Sequence, residues 1–360
     1  MATSVVGLDI GSTAVRGVEL SGANKTKPTL LRFHEILLPP GVVVKGEVVE
    51  PEILVTALKR LWSEGKFKTK NVVLGTGDQR ILVRDLSVPK MPLKRIRESL
   101  PFQVQSMLQV PLADSLLDFY PVSESVGEHG PIINGLLIAA DKSVILGNIR
   151  AVERAGLTPV DVDLLPFALN RFLISRAQVG GTVALIDVGA NTTSIVVAID
   201  GTPRFVRIIP AGGDDLTQAL KLGLEIETDE AEELKFGLRL GPDVEADSQE
   251  PACACVRCVA ELAIYKDHRA IEILNVMAAE LLGSLRSTVN YFNNTWSENP
   301  VEKVVLTGGG AQLSGFADAL HEMTHIPVGY ADASAMITTS RGLHGKKFQN
   351  SMTAAIGLAL

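Results

Sequence analysis

Short apolar runs that end in glycine-containing turns set the pattern of hydrophobic and polar positions along this chain. Residues 183–186 form one such run and residues 195–199 form another, which predicts two buried strands joined in a hairpin. The turn begins at Asp187, which is placed to hold a hydrated cation, and contains Gly189, where the backbone can approach an anion closely. Side-chain donors follow at Asn191, Thr192 and Thr193. The turn therefore predicts a site for a phosphate with its Mg²⁺, although similar Asp-x-Gly turns also close ordinary hairpins.

The beginning of the chain repeats this hairpin. Residues 5–10 form an apolar run and residues 15–20 supply its partner strand. In the turn between them, Asp9 and Gly11 align with the aspartate and the glycine of the other hairpin, and the donors Ser12 and Thr13 follow. Two phosphate-type hairpins in one chain predict two similar halves that face one ligand.

A third motif comes late in the chain and is rich in glycine. Residues 304–307 predict a buried strand that leads into three glycines at residues 308–310, where a flat ring can lie against the backbone. Glu232 and Lys235 lie one helical turn apart on a predicted helix and therefore share a face. They are either polar partners for a ribose or base, or a solvated surface ion pair.

Composition and charge narrow the classes of function. The chain has 360 residues, enough for about two domains with sizeable cores. Its formal net charge of −7 gives no indication of a nucleic-acid partner, which would require a basic face. No run reaches the roughly 20 apolar residues that span a bilayer, and the first residues lack the charged segment of a signal peptide. We therefore expect a cytoplasmic protein without direct membrane insertion.

Two further patterns suggest metal ions, and each has a simpler interpretation. Cys253, Cys255 and Cys258 have a spacing at which thiolates can converge on zinc or an iron-sulfur cluster, but a fourth ligand is not evident. Free thiols at the start of a helix are the simpler interpretation. His321 and His325 match the zinc-protease pattern H-E-x-x-H, but they fall in the last turn of a predicted helix, which favours an exposed helix end.

Four motifs of this chain are similar to those of one superfamily. The two Asp-x-Gly turns resemble its phosphate-1 and phosphate-2 motifs, residues 308–310 resemble its adenosine motif, and residues 354–357 resemble its connect-2 motif. The superfamily contains actin, DnaK-type chaperones and sugar kinases. Within it, the chain is most similar to the PilM family, the actin-like proteins of type IV pilus assembly, and the resemblance covers nearly the whole chain.

The resemblance implies an α/β fold with two ribonuclease-H-like (actin-like) domains and a small inserted α+β subdomain, called 1C. The insert is expected to follow a linker with prolines at residues 89 and 92 and to include a helix at residues 142–155. Within the second domain, two helices are expected at residues 258–266 and 271–293. The implied division is subdomain 1A at residues 1–86, 161–181 and 336–360, subdomain 1C at 87–160, subdomain 2A at 182–213 and 300–335, and subdomain 2B at 214–299.

The resemblance also implies ATP with Mg²⁺ between the two domains. Asp9 and Asp187 would hold the metal through water molecules. Arg16 stands where relatives often have lysine, and it would either add positive charge near the phosphates or face solvent. The expected nucleotide-binding residues are Asp9, Gly11, Ser12, Thr13, Arg16, Asp187, Gly189, Asn191, Thr192, Thr193, Gly212, Gly213, Glu232, Lys235, Gly308, Gly309 and Gly310.

One position departs from the superfamily pattern. DnaK-like and MreB-like relatives commonly have a glutamate before the proline found here at residue 166, and that glutamate orients the attacking water. This chain has Leu165 instead. An apolar side chain cannot activate water, so we expect slow ATP hydrolysis or none, unless Asp161 or Asp163 swings into the site.

For function, the resemblance implies a scaffold recruited to the inner face of the cell membrane. PilM-type proteins hold the N-terminal cytoplasmic tail of the membrane protein PilN in a groove near subdomain 1C, and they link the inner-membrane platform to the pilus motor ATPase. Two alternatives remain open: an actin-like filament protein of the FtsA or MreB type, and a small-molecule kinase of the same superfamily. An FtsA-like filament would need a C-terminal amphipathic membrane helix, whereas this sequence ends at Leu360, directly after the connect-2-like motif.

Overall fold

The computed structural model describes residues 5–104, 107, 111–128, 130–241, 254–340, 343 and 350–360, without the side chains of residues 254–266. Its strands alternate with helices along most of the chain, as expected of an α/β protein. In chain order the strands are β1 (Val6–Ile10), β2 (Ala14–Ser21), β3 (Thr29–Leu37), β4 (Val43–Val44), β5 (Glu47–Val48), β6 (Asn71–Thr76), β7 (Leu82–Pro89), β8 (Ser115–Gly127), β9 (Gly130–Asp141), β10 (Thr158–Leu164), β11 (Thr182–Val188), β12 (Thr193–Ile199), β13 (Thr202–Ile209), β14 (Lys303–Thr307), β15 (Val328–Tyr330) and β16 (Thr338–Thr339).

The helices lie between these strands and cover their faces. They are α1 (Pro51–Gly65), α2 (Leu93–Gln103), α3 (Lys142–Arg154), α4 (Leu165–Asn170), α5 (Gly213–Leu224), α6 (Thr228–Gly237), α7 (Ala254–Thr295), α8 (Phe316–Thr324) and α9 (Thr353–Leu358). A single π-helical turn, Arg171–Ser175, continues α4.

The first half of the molecule is built on a six-stranded sheet with the order β10-β6-β1-β2-β3-β16. β1, β2 and β3 form an antiparallel meander, and β6 and β10 add in parallel on the other side of β1. Helices α1 and α3 cover one face, where Leu58 and Val152 share a core with Leu8 of β1. The predicted first hairpin is confirmed, because β1 pairs with β2 and the turn between them contains Gly11.

The second half repeats this arrangement in a five-stranded sheet with the order β13-β12-β11-β14-β15. β11, β12 and β13 form the antiparallel meander, and β14 and β15 add in parallel beside β11. Helices α5, α7 and α8 cover one face, with Leu220 and Leu274 in the core. On the other face, Leu185 shares a core with Ala355 of α9, so the two halves pack together. The repeated hairpins thus correctly predicted two similar halves.

Helices α4 and α9 cross in close contact in the core between the two sheets. A Cβ atom at Gly357 of α9 would overlap the carbonyl oxygen of Ala168 on α4. The approach of α9 to β1 is just as close, since a Cβ atom at Gly7 would overlap the carbonyl oxygen of Ala355. Glycine at these two positions therefore allows the backbones to pack in direct contact.

A separate three-stranded sheet, with the order β7-β9-β8, packs on α2 and contacts both halves, through the apolar core that it shares with Phe167 of α4 and through β13 of the second half. It begins at Leu82, before the expected boundary at residue 87, because β7 pairs with β9 along its length. Helix α3, expected within the insert, packs on α1, and β10 pairs with β6 from residue 158 onward. These elements lie with the first half because their apolar faces match its core, and the subdomain division stays a proposal.

The two helices expected at residues 258–266 and 271–293 are one helix, α7, of 42 residues. The prediction of a break between them was wrong because residues 267–270, DHRA, contain neither glycine nor proline, and all four can continue a helix. Ala270 at the supposed break is fully buried against the second-half core. Among the described residues, no helix combines the length and the apolar character that a bilayer span requires.

Candidate functional site

The turns of the two hairpins line one cleft between the halves. Asp9 and Gly11 from the first hairpin, Asp187 and Gly189 from the second, and the glycine segment after β14 border the same cavity, whose volume is about 380 Å³. The hairpin turns are alike in detail, because Gly11 N–H donates to Ala14 O (3.0 Å) and Gly189 N–H donates to Thr192 O (2.9 Å). The structure therefore brings together the two turns that the sequence related only by pattern.

All but two of the expected nucleotide-binding residues border this cleft. The exceptions are Thr193 and Gly212. Thr193 is fully buried and donates a hydrogen bond from its hydroxyl to Ala211 O (2.8 Å), so it holds the second hairpin against the next loop. A Cβ atom at Gly212 would overlap the carbonyl oxygen of Ala190, so this glycine allows the loop to pack on the turn. The sequence motif contains both residues for structural reasons.

The aspartates of the two turns form an acidic pair. Burial raises the pKa of Asp9, while Arg16, whose Nη1 lies 3.6 Å from Asp9 Oδ2, opposes that rise. The pKa of Asp187 is raised to about 7, chiefly by burial and then by the charge of Asp9, while the charge of Arg16 opposes the rise. Carboxylates that are poorly solvated and close in space are the oxygen donors that Mg²⁺ prefers. The donor set therefore fits a hydrated divalent cation, which would relieve the repulsion between the two carboxylates.

Glycine is required where the third motif meets the second hairpin. Gly308 has a φ of 91°, and a Cβ atom there would overlap the carbonyl oxygen of Val188. Gly309 has a φ of −68° and open space around it, so it exposes backbone to the cleft without a steric need for glycine. The segment thus lines the cleft with main chain and no side chains, which lets a planar ring approach the backbone.

Glu232 and Lys235 form a partly buried network rather than a solvated surface pair, because the lysine is buried. Lys235 is only 4% exposed, and its Nζ donates to Glu232 Oε2 (2.7 Å), Thr217 Oγ1 (2.7 Å) and Gly213 O (3.2 Å). The Thr217 hydroxyl also donates to Glu232 Oε2 (2.6 Å). Glu232 is half exposed, and both residues border the cleft. The ammonium group thereby fixes a carboxylate that can accept hydrogen bonds from a ligand hydroxyl.

Several residues that border the cleft were not predicted from the sequence, among them Phe236, Thr76 and Asn148. Phe236 borders the cleft beside Lys235, whose Nζ lies 4.6 Å from the centre of the phenyl ring. Thr76 and Asn148 also border the cleft, and each has a buried side-chain oxygen without a hydrogen-bond partner among the described residues. No motif marks Thr76 or Asn148, but Phe236 follows Lys235 directly on α6, so the Glu232–Lys235 pattern pointed to its neighbourhood.

Leu165 borders the cleft at the start of α4, where relatives have the water-orienting glutamate. Its side chain fills the space beside Gly75 and Gly77. Neither aspartate named as a replacement reaches the cleft wall. Asp163 accepts a hydrogen bond from Arg171 Nη2 (2.7 Å) in a different cavity, and Asp161 is exposed and accepts one from the backbone N–H of Val162 (2.8 Å). The described cleft therefore has an apolar side chain at the position where the superfamily resemblance predicts a water-orienting glutamate.

The histidine pair does not form a zinc site. Helix α8 ends at Thr324, and His325 has a left-handed φ of 58°, so the two histidines do not share a helical face. His321 Nδ1 lies 2.8 Å from Ile326 O and caps the chain at this point. Cys253 and the side chains of Cys255 and Cys258 lie outside the described residues. Within the described part of the chain, no cluster of three or more histidine, cysteine, aspartate or glutamate residues is arranged to hold a metal ion.

A second cavity, which we call the insert groove, lies between the three-stranded sheet and the first half. Its volume is about 470 Å³. Its walls are largely apolar, with two ion pairs among them: Arg97 Nε to Asp118 Oδ1 (2.5 Å) and Arg171 Nη2 to Asp163 Oδ2 (2.7 Å). The apolar lining includes Leu116, Tyr120, Ile138, Leu164 and Phe167. A mainly apolar cavity with a few polar groups suits a short peptide or a small apolar ligand.

Comparison with known proteins agrees with this geometry. The family model described as type IV pilus assembly protein PilM matches residues 7–264. The chain belongs to the PilM family. A second family model, described as cell division protein FtsA, matches residues 184–357. The PilM family and FtsA therefore match overlapping parts of the same fold.

Individual relatives extend the match over the whole chain. A chain in the solved PilM–PilN type IV pilus biogenesis complex has a TM-score of 0.81 at 26% identity, covering 100% of this chain and 98% of that one. FtsA of Bacillus subtilis is 24% identical over 337 residues, which covers 86% of this chain and 74% of FtsA. MreB5 of Spiroplasma citri bound to ADP has a TM-score of 0.54 at 11% identity, with 99% and 95% covered. These matches confirm the expected actin-like fold of a PilM-family protein.

Proposed function

We propose that this PilM-family protein is an ATP-binding scaffold of type IV pilus assembly that binds the N-terminal tail of PilN. The observation that carries the proposal is the presence, in one molecule, of a cleft with two phosphate-type turns and an apolar groove beside the inserted sheet. A related chain is part of a solved complex with PilN, which supports the choice of partner. The same chain holds both sites, so one protein would bind the nucleotide and the peptide.

In the proposed nucleotide complex, the two turns hold the phosphates and Mg²⁺. Backbone N–H groups near Gly11 and Gly189 would bind phosphate oxygens, and Asp9 and Asp187 would hold the metal through water molecules. Mg²⁺ would offset the negative charges of the phosphates and of the two carboxylates. The remaining contacts would come from the glycine segment, the first residue of α5 and helix α6, namely Gly308, Gly309, Gly310, Gly213, Glu232 and Lys235.

Hydrolysis would be slow in this arrangement. Leu165 lies in the position of the expected base and cannot accept a proton from water. The nucleotide would therefore act as a structural ligand that fixes the angle between the halves, because both turns must contact one phosphate chain. Isothermal titration with MgATP tests whether the cleft binds the nucleotide. Heat of binding is expected from the wild-type protein, and an absence of binding would contradict it.

The insert groove is the proposed site of the PilN tail. Its apolar walls suit apolar side chains of a short peptide, and the Asp163–Arg171 pair at its base can exchange hydrogen bonds with a peptide backbone. Leu116 on β8 borders this groove and is 39% exposed, so a ligand would bury it. Groove contacts would then provide most of the binding free energy, because burial of apolar surface is the main favourable term.

A peptide titration with matched variants tests the groove. A synthetic peptide of the PilN N-terminal tail is titrated into wild-type protein, Leu116→Glu and Val126→Glu. Val126 is an exposed residue of the same strand outside the groove lining, so it controls for added charge. We expect Leu116→Glu to weaken binding by about tenfold or more and Val126→Glu to weaken it by less than about twofold. Equal effects of the two variants would contradict the proposed site.

A bound PilN tail would bring this protein to the inner face of the cell membrane, where it would link the inner-membrane platform to the pilus motor ATPase. Membership of the PilM family supports this role. Vesicles that display the PilN tail test it. Purified motor ATPase is expected to sediment with these vesicles only when this protein is added, and sedimentation that does not depend on it would contradict the link.

A further inference from the structure

The charged groups of the cleft are unbalanced before any ligand binds. The described residues that border it include the acidic residues Asp9, Asp187, Asp214, Asp229 and Glu232 but only two basic ones, Arg16 and Lys235. Glu232 already accepts a hydrogen bond from Lys235 (2.7 Å). Among the described residues, Arg16 is therefore the main source of positive charge near the two phosphate turns.

Arg16 lies between two carboxylates on neighbouring strands. Asp9 of β1 and Glu35 of β3 are directly opposite Arg16 of β2 in the sheet register. The Nη1 atom of Arg16 lies 3.6 Å from Asp9 Oδ2, and its Nε donates a short hydrogen bond to Glu35 Oε2. A Cβ atom built on Gly11 would lie 3.3 Å from Nη1, which places the guanidinium beside the first phosphate turn. Three charged side chains thus form a row across the sheet with a net charge of −1.

Glu35 stands one strand back from the cleft wall that Arg16 and Asp9 form. Its side chain is 23% exposed and that of Arg16 is 17% exposed, so water screens their charges only partly. The charge of Glu35 also reaches the turn itself, because it raises the pKa of Asp9. Glu35 therefore offsets the positive charge of Arg16 without occupying the space that a ligand would fill.

We propose that Glu35 is a positioning residue that makes nucleotide binding depend on Mg²⁺. This inference rests on the proposed nucleotide site. With Glu35 and Asp9 both bound to it, Arg16 cannot offset the charge of a metal-free polyphosphate, which meets an acidic cleft. Mg²⁺ on Asp9 and Asp187 supplies the missing positive charge and leaves Arg16 able to turn toward the phosphates. The cleft would thereby select the magnesium complex of the nucleotide over the free nucleotide.

Measurements of ATP binding in EDTA and in excess Mg²⁺ test the proposal. The readout is the ratio of the MgATP affinity to the affinity for metal-free ATP. Glu35→Gln keeps the size of the side chain and removes its charge. We expect this variant to tighten ATP binding in EDTA by about tenfold and MgATP binding by less than about threefold, since one nearby negative charge is lost. The ratio should therefore fall, which a purely structural loss would not produce.

Two further variants separate the effect of the negative charge of Glu35 from its role in holding Arg16 in place. Glu35→Asp keeps the charge but shortens the reach to Arg16, and its affinity ratio should stay within about twofold of wild type if charge is decisive. Glu64→Gln removes a carboxylate that pairs with Arg60 (3.1 Å) and His34 (3.2 Å) on the surface of the same half, and it should leave the ratio unchanged. Circular dichroism confirms that each variant is folded.

The outcomes distinguish this inference from the proposed function. If wild-type protein binds no MgATP, the nucleotide site itself fails. If wild type binds MgATP but Glu35→Gln leaves the ratio unchanged, or weakens both affinities equally, the role of Glu35 is overturned while the site stands. If Glu35→Asp lowers the ratio as much as Glu35→Gln does, Glu35 merely holds Arg16 in place and the charge mechanism is overturned.

Discussion

Asp187 faces a cleft that already holds the carboxylate of Asp9, and protein surrounds both groups on most sides. The folded-state pKa of Asp187, about 7, lies above its ordinary value of 3.8 because of burial first and the charge of Asp9 second. The folded protein therefore binds this proton more tightly than the unfolded chain does. Without a cation, Asp187 destabilises the fold increasingly as the pH rises from about 4 to about 7, and the full penalty is present above that range.

Asp187→Asn should remove this penalty. In EDTA, we expect the variant to gain about 1–3 kcal/mol more stability relative to wild type at pH 8 than at pH 5, because only the wild-type carboxyl ionises over this interval. Urea unfolding at both pH values measures the difference. Asp161→Asn, at an exposed aspartate, serves as the control and should show no such pH dependence. An equal gain for Asp187→Asn at both pH values would contradict the assignment.

The glycine segment offers a matched pair of residues for a second test. Gly308→Ala adds a Cβ atom at a φ of 91° and against Val188 O, whereas Gly309→Ala adds one at a φ of −68° in open space. We expect Gly308→Ala to lower the free energy of unfolding by about 2 kcal/mol or more and Gly309→Ala to change it by less than about 0.5 kcal/mol. Thermal unfolding of the two variants measures the difference in stability, and similar melting temperatures would refute the steric account.

At the scale of elements, the sequence pattern predicted the features that depend on residues close together in the chain. Both hairpins form between the apolar runs that predicted them, because two such runs joined by a short turn pair with each other. Partners far apart in sequence could not be predicted in this way. The packing of α3 on α1 and the lining of the insert groove depend on tertiary contacts that leave no periodic signal.

The candidate site shows the same division. The two turns and the glycine segment were found because each motif carries its own chemistry. Thr193 was expected at the ligand but does not line the described cleft, since a threonine that bonds Ala211 O looks the same in sequence as one that faces a phosphate. Glu35 was missed although it lies opposite Arg16, because the register of β2 and β3 includes a bulge after Glu19 that the sequence pattern does not reveal.

The crossing of α4 and α9 provides a prediction at the element scale. Gly357→Ala should separate the two helices, because the added Cβ atom would overlap Ala168 O. We expect a loss of about 2 kcal/mol or more in the free energy of unfolding. Gly147→Ala in α3 is the control, since nothing lies within 4 Å of the added atom and alanine favours helix by about 1 kcal/mol. Urea unfolding should show opposite signs for the two variants, and a stabilised Gly357→Ala protein would contradict the packing described.

At the scale of the whole molecule, two similar halves enclose the cleft while the inserted sheet forms a groove on one of them. This arrangement would separate the proposed nucleotide site from the proposed peptide site, so that both could be occupied at once. Actin-like folds also build filaments, and MreB shares this fold at a TM-score of 0.54. The scaffold role and the filament role therefore differ in how copies associate, which the fold alone does not determine.

Sedimentation separates these two roles. As a scaffold, the protein is expected to stay in the supernatant after high-speed centrifugation with MgATP, because its proposed partner is a peptide and not a second copy. A filament former would move to the pellet above a critical concentration. The same assay with Leu116→Glu controls for association through the insert groove. Nucleotide-dependent pelleting of wild-type protein would contradict the scaffold role.

The contact of α9 with Gly7 of β1 and with α4 has a consequence for the order in which the two halves fold during synthesis. The second half consists of one nearly continuous stretch of chain, whereas the first half takes its last helix from residues 353–358. As the ribosome works from the N-terminus, the second half is available to fold while the first still lacks α9. The half that is made first is therefore completed last, and its β1–β2 surface is a natural substrate for chaperones until α9 has emerged.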